Sequence, residues 1–391
     1  MNSSGEPAIA SLPVPPDEAL ALSARLLERI VAEIQQQGAV IGFDEYMHMA
    51  LYEPGLGYYS AGSPKFGAAG DFVTAPEISG LFGQCLARQS SELIEQGCAP
   101  AILEFGAGSG KLCAQILEAM PELQRYLVLD LSADLRQRQQ QYLRAQLPAR
   151  LFDKIEWLDR LPQDFDGIVL ANEVLDAMPV KLLHKRSRWV ELGVGWQDDA
   201  LVWKPFEAHR EALDAICNVE QAVGELPDDY CTEVNLNYQP WFKALADACR
   251  RAVVLIIDYG YEQAQYYHVE RRRGTLTCHY RHRVHSDPFI YPGLQDITAF
   301  IDFDACADAA EQSGFAISGL IDQGRFLLAN GLLEQAQRVA DAGDAVAQLA
   351  ISQQVATLTL PQEMGEKFKV LALQKNIDLE MPALRRDRAY G

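Results

Sequence analysis

The sequence predicts an α/β protein whose mostly parallel sheet is covered by helices on both faces. Three observations carry that reading. From residue 101 onward, short apolar runs alternate with stretches of helical spacing. The runs are continuously apolar, as in strands buried on both sides, rather than alternating as in a half-solvated sheet. A glycine-rich turn also joins the first run directly to the first helical stretch.

Each element follows in order. Residues 1–16, rich in Ser, Pro and Gly, read as a disordered arm. Asp17 is placed to cap a helix in which Leu20, Leu26, Leu27, Ile30 and Ile34 recur at helical spacing until Gly38. Residues 38–83 are turn-rich, with Tyr46, Tyr52, Tyr58, Tyr59, Phe66 and Phe72 among glycines. That mixture suits ordered binding loops more than a core, so residues 17–100 read as an N-terminal helix followed by lid-like loops. Ala101–Phe105 and Tyr126–Leu131 are buried strands, and a helix follows each, the second over Leu135–Leu147. Ile155–Leu158, Gly167–Ala171 and Val253–Asp258 are further strands of a core spanning residues 101–330. Two insertions, at about 181–250 and 261–300, are too long for bare loops and must hold structure of their own. A helix near Phe303–Gln312 and a strand near Phe315–Asp322 come next. Residues 331–391 contain most of a long helical pattern, Leu327–Leu358, and a terminal apolar run, Phe368–Leu373.

Composition narrows the function classes. With 391 residues and 49% hydrophobic content, the chain has ample material for a large core. It reads as one enlarged domain. Its 34 Lys+Arg against 54 Asp+Glu give a net charge of −20, which argues against a nucleic-acid partner, because phosphate neutralisation needs massed cations. No apolar stretch approaches the ~20 residues of a bilayer span, so no membrane insertion is expected. The eight cysteines are scattered without a CxxC pair, which fits a reducing compartment. Met1 to Pro16 carries no Lys or Arg and no apolar core, so it is read as neither signal nor transit peptide. A cytoplasmic protein is the expectation.

The glycine loop selects a nucleotide. Glu104-Phe105-Gly106-Ala107-Gly108-Ser109-Gly110 ends the first strand and opens a helix, where bare backbone amides approach a ligand closely. A phosphate-binding P-loop fails, since Lys111 is followed by Leu112 and the first glycine is misplaced. A dinucleotide fingerprint fails because the third glycine falls one position early. The pattern E-x-G-x-G-x-G fits S-adenosylmethionine, and Asp130, 20 positions after Gly110, ends the second strand where a carboxylate can take ribose hydroxyls. Gly106, Ala107, Gly108, Gly110, Asp130 and the adjoining Leu131 are therefore the cofactor-binding candidates, with Glu104 aimed at the cofactor's amino group.

Further blocks support a specific resemblance. They are Gly70-Asp71-Phe72-Val73-Thr74-Ala75-Pro76-Glu77-Ile78-Ser79 with Phe82-Gly83, and Ala171-Asn172-Glu173-Val174-Leu175-Asp176-Ala177-Met178-Pro179-Val180. After them come Gly274-Thr275-Leu276 with Cys278, His282-Arg283 and Pro292-Gly293-Leu294-Gln295-Asp296-Ile297-Thr298, then Met364-Gly365 with Phe368-Lys369-Val370-Leu371. Taken together with the glycine loop, the chain resembles the MidA/NDUFAF7 family of class I methyltransferases, here as a bacterial member. The resemblance covers about residues 40 to 375. It implies a Rossmann-like class I methyltransferase fold of seven strands, mostly parallel, with the last two antiparallel to part of the rest. It also implies S-adenosyl-L-methionine as cofactor and, from the mitochondrial branch, methylation of a protein arginine in assembly of respiratory complex I. A complex I subunit is thus the candidate partner. The assembly state is open, with a homodimer as the candidate.

The carboxylates point the same way. Asn172, Glu173 and Asp176 follow the fourth strand and Asp258 ends the fifth. Ligands of doubly wound sheets bind beyond the carboxyl ends of the strands, so these residues are expected to form the catalytic acceptor pocket. Carboxylates bind guanidinium through paired charge-assisted hydrogen bonds. Asp176 and Asp258 also fit plain capping or turn roles. Thr74, Pro76 and Glu77 are expected to fold back as a lid or side wall over the cofactor. His282 and Arg283, which match the family block, are the substrate-binding candidates. His279, His282 and His285, spaced by three, are a poor zinc set because their flanks read as strand and loop. The rival reading is a cofactor-binding assembly factor or chaperone with little or no methyl transfer.

Overall fold

The computed structural model describes residues 12–61, 73–130 and 132–384. The chain divides into two compact units. One comprises residues 1–72, 176–237 and 261–302, the other residues 73–175, 238–260 and 303–391. The N-terminal segment and most of both insertions thus gather into a unit of their own.

In the first unit, helix α1 (Asp17–Gln36) buries Leu26, Ile30 and Ile34, four residues apart. Pro16, not Asp17, holds the N-cap position. Asp17 is instead the first helical residue, where its charge faces the positive end of the helix. Helix α2 (Phe43–Tyr52) replaces part of the expected loops and buries Phe43, Tyr46, Met47, Ala50 and Leu51. These aromatic residues are core. An antiparallel sheet joins Ile41–Gly42, Lys181–Lys185, Trp189–Gln197, Ala200–Phe206 and Cys231–Val234. A second sheet joins Thr277–Tyr280 to Arg283–His285 and to Asp296–Thr298.

The second unit holds the predicted sheet. Its strands are β1 (Ala101–Phe105), β2 (Arg125–Leu129), β3 (Ile155–Leu158), β4 (Phe165–Asn172), β5 (Cys249–Tyr261), β6 (Ala316–Asp322) and β7 (Phe368–Lys375). They lie in the order β6-β7-β5-β4-β1-β2-β3. The five strands from β5 to β3 run parallel, and β7 is antiparallel to both β5 and β6. Seven strands are what the resemblance implies, but only β7 is reversed: β6, antiparallel to β7, runs in the same direction as β5, so one late antiparallel strand replaces the expected two. The apolar runs are buried as double-sided strands must be: Ile168–Ala171 and Val253–Ile257 are inaccessible to solvent.

Four helices of this unit position the site: α3 (Ala75–Ile78), α4 (Gly80–Glu95), α5 (Lys111–Ala119) and α6 (Ala133–Gln146). The expected long helix near the C-terminus is three helices, Gln323–Ala329, Leu332–Ala342 and Ala345–Thr359. They are broken at Gly331, which is left-handed at φ 76°, and at Gly343. Strand order reverses beside β1, whose neighbours are β2 and β4. Such a switch point opens a crevice at the carboxyl ends of the strands.

Candidate active site

The glycine loop leaves β1 at this switch point. Gly106, Gly108 and Gly110 all adopt left-handed backbone, at φ 59°, 54° and 86°, which a side chain would oppose. The loop is pinned at both ends. The Gly106 amide donates to the Leu129 carbonyl at 2.9 Å, and the Gly110 amide donates to Ala107 at 2.8 Å. Gly110 then caps α5, whose first turn provides backbone N–H groups and a positive helix end. A Cβ on Gly106 would press on Val174 at 3.3 Å, so loop and β4 exit are close neighbours.

Asp130 leaves β2 beside this loop. Its Oδ1 accepts the Ser132 amide at 2.9 Å and its Oδ2 accepts the Gln139 amide at 2.9 Å. A carboxylate has about four acceptor positions, so lone pairs remain for two ribose hydroxyls. Burial raises the Asp130 pKa, against the pull of those two hydrogen bonds and of Arg136. Glu104 lies one layer lower. It is buried, its Oε2 accepts the Tyr126 hydroxyl at 2.8 Å, and desolvation pushes its pKa up to about 8. Burial thus favours the neutral form of Glu104.

The Thr74–Glu77 block does fold back. Pro76 sits in the first turn of α3, after Thr74 at the N-cap. Glu77 accepts the Ser109 hydroxyl and pairs with Lys111 at 2.5 Å, while the Pro76 carbonyl accepts the Gln115 amide at 2.8 Å. The block is clamped onto the glycine loop and the start of α5. Of the preceding residues in that sequence block, Gly70, Asp71 and Phe72 lie outside the described residues, as does Leu131.

At the exit of β4 the chain turns sharply. Glu173 takes a left-handed backbone at φ 52°, a costly state for a non-glycine residue, and its amide donates to the Ile257 carbonyl at 2.9 Å. Asp258 is fully buried; its Oδ2 accepts the Leu175 amide at 3.1 Å and its Oδ1 the Tyr259 amide at 2.9 Å. It thus braces the turn. Asn172 donates to Glu173 Oε1 at 3.3 Å, but its own Oδ1 is buried with no hydrogen-bond partner among the described residues. The structure therefore brings Asn172, Glu173 and Asp258 together beside the loop.

Asp176 and the basic pair belong to the first unit. The buried Asp176 receives the Ala299 amide on its backbone carbonyl at 3.0 Å, and no helix follows it to be capped. His282 and Arg283 are exposed at a tight hairpin, where Arg281 and His282 both have left-handed backbone at φ 46° and 59°. The Gly274-Thr275-Leu276 block has a structural explanation. Glu233, buried, accepts the Thr275 and Leu276 amides at 3.0 Å, and a Cβ on Gly274 would fall 2.2 Å from its Oε1.

Sequence reasoning missed Gln139, Trp157, Ser109 and Lys111. Only Gln139 left a signal: it stands four residues from both Leu135 and Leu143, on the buried stripe of α6.

The residues present fit S-adenosylmethionine. A side-chain-free loop and a carboxylate with spare lone pairs lie together at the carboxyl ends of β1 and β2, next to the turn that carries Asn172 and Glu173. The comparisons agree. Residues 85–321 match a family described as "Putative S-adenosyl-L-methionine-dependent methyltransferase". A Burkholderia thailandensis superfamily member solved with S-adenosyl-homocysteine superposes with a TM-score of 0.91 at 42% identity, covering 96% of this chain and 98% of that one. The chain belongs to the MidA/NDUFAF7 family of S-adenosylmethionine-dependent methyltransferases.

Its curated relatives include the Drosophila melanogaster protein arginine methyltransferase NDUFAF7 homolog, 30% identical over 89% of this chain and 84% of the relative. The Danio rerio protein of that name is 27% identical over 90% and 87%. This family member uses S-adenosylmethionine as its cofactor. Among the described residues, no helix is long and apolar enough to cross a membrane.

Proposed function

We propose that this methyltransferase acts on a protein side chain, an arginine guanidinium, with the acceptor held at the β4 exit. The observation that carries the reading is the bare Asn172 Oδ1 beside the Glu173 carboxylate. A guanidinium offers five N–H donors and no acceptor, so it is matched by a site presenting an amide oxygen and a carboxylate. In this reading Asn172 accepts one N–H and orients the reacting nitrogen. Glu173 binds the opposite edge and draws the positive charge there, leaving electron density on the nearer nitrogen. Asp258 keeps the turn in its strained shape, through Leu175 and Tyr259. Asp176, His282 and Arg283, all in the first unit, are the proposed contacts of that unit with the protein substrate.

S-adenosylmethionine supplies an electrophilic methyl group on a sulfonium centre. The residues of this chain hold the donor on the glycine loop and Asp130 and align the acceptor, and alignment contributes most in a displacement of this type. The arginine pKa lies far above neutral, so no residue here removes a proton beforehand; the N–CH3 bond forms as the S–CH3 bond breaks, and the N–H proton then leaves the methylated nitrogen. Glu104, Thr74, Pro76 and Glu77 complete the cofactor wall. The relatives' names support arginine as the acceptor. The resemblance adds a respiratory complex I subunit as candidate target, and the scattered cysteines without a CxxC pair support a reducing, cytoplasmic site of action.

The test is to incubate the protein with tritiated S-adenosylmethionine and lysate of cells lacking it, then hydrolyse the labelled proteins. Methylarginine is the expected product. Label on another amino acid sinks the arginine assignment. Cofactor binding without any transfer would make the chain an assembly factor instead.

A further inference from the structure

We infer that Gln139 is the positioning residue of the cofactor site, because one buried side-chain amide ties the glycine loop to the Asp130 carboxylate. The inference rests on the reading that Asp130 and the loop hold the cofactor. Gln139 is inaccessible to solvent. Its Nε2 donates to the Gly108 carbonyl at 3.0 Å and to Asp130 Oδ2 at 2.9 Å. Its Oε1 accepts the Trp157 indole N–H at 3.1 Å.

A primary amide has two N–H groups, and here both are used. Their partners are acceptors from two different strand ends, the β1 loop and the exit of β2. The oxygen's partner is a donor only, so it sets the orientation. A flipped amide would set its oxygen against Gly108 and Asp130 and its N–H groups against the indole N–H, losing all three bonds. Trp157 therefore keys the direction in which Gln139 faces.

The consequence for the cofactor is geometric. In a trans peptide the carbonyl and the following N–H point in opposite directions. Holding the Gly108 carbonyl toward α6 turns the Ser109 N–H away from α6 and fixes that peptide plane in the loop. The bond to Oδ2, with the Ser132 amide on Oδ1, also fixes the plane of the Asp130 carboxylate. Neither loop nor carboxylate can rotate without breaking a buried bond. The charged and titratable groups acting on this pair are Glu104 and Arg136; Trp157 is neutral.

The test measures S-adenosyl-homocysteine binding by calorimetry from pH 6 to 8.5 in wild type, Gln139→Glu, Gln139→Leu and Asp130→Ala. Dividing each variant's Kd by the wild-type value at the same pH removes the titration common to both, and Gln139→Leu controls for the change in Asp130 that follows loss of its Gln139 hydrogen bond. Gln139→Glu is expected to weaken binding about tenfold at pH 8, because a carboxylate donates to neither acceptor. Part of that loss should return at pH 6, where the buried carboxyl is protonated and regains one donor. Gln139→Leu should stay weak throughout, with no recovery at pH 6. Trp157→Phe, which removes the orienting bond together with part of the ring that packs near Phe152, should weaken binding about threefold and serves if Gln139→Glu fails to fold.

The inference is overturned if Asp130→Ala loses affinity while Gln139→Glu and Trp157→Phe bind as wild type does. It is also overturned if the Gln139→Glu ratio is the same at all pH values, the signature of simple loosening. If Asp130→Ala itself binds normally, the reading of the cofactor site falls first.

Discussion

Replacing Glu104 by Gln should change how the stability of the protein depends on pH. Glu104 is buried beneath the glycine loop and takes a hydrogen bond from Tyr126, which Gln can also accept. Burial raises its pKa from 4.5 to about 8. The folded protein thus keeps a proton on Glu104 that the unfolded chain releases. A group with a raised folded pKa contributes stability that is fully present below the unfolded value and lost as pH climbs to the folded one. Wild type should therefore lose stability between about pH 4.5 and pH 8, and the neutral amide of the Glu104→Gln variant should remove that slope. At ~1.4 kcal/mol per pKa unit, a rise from 4.5 to about 8 sets a ceiling of about 5 kcal/mol. Urea denaturation of the ligand-free proteins at pH 5, 6.5 and 8, followed by circular dichroism, reads the difference. The variant's advantage over wild type should be near zero at pH 5 and grow by several kcal/mol at pH 8. A difference that stays constant over this range would mean that Glu104 is ionised in the fold, and the burial argument would be wrong.

Other consequences are simpler. Gly108→Val forces a branched side chain into left-handed backbone within the loop and should abolish detectable S-adenosyl-homocysteine binding by calorimetry. Glu173→Gln should leave that binding within about threefold of wild type while lowering methyl transfer about a hundredfold, measured as kcat on a labelled substrate. Gly274→Ala should destabilise the first unit by about 2 kcal/mol or more, seen as a lower melting temperature, because its Cβ would collide with the buried Glu233 at 2.2 Å and φ is 71°.

The sheet was legible because parallel strands buried on both faces leave continuous apolar runs, as in Val253–Ile257. The glycine loop was legible because its left-handed backbone demands glycine. Helix α2 was hidden by its composition: Tyr46 and Tyr52 beside Gly42 look like a loop, although Phe43, Tyr46, Met47, Ala50 and Leu51 form a helical stripe. The clamp of Glu77 on Ser109 and Lys111 joins residues more than thirty positions apart, and no local pattern announces such a contact. Asp258 shows a different gap. Its position at a strand end was readable, but the use of both its oxygens on the Leu175 and Tyr259 amides was not. Those two bonds give it support of the Glu173 turn as a role beside the proposed one in the acceptor pocket. Gln139 sits among Gln137, Gln140 and Gln141, where only the helical phase separates one buried amide from its exposed neighbours.

A crystal structure of this chain with S-adenosyl-homocysteine is the most direct test of the proposed site. The account expects the ribose hydroxyls within hydrogen-bonding distance of Asp130, the chain packed over Gly106–Gly110, and the sulfur facing Asn172 and Glu173. A ligand bound away from the glycine loop, or one whose sulfur faces away from the β4 exit, would contradict it.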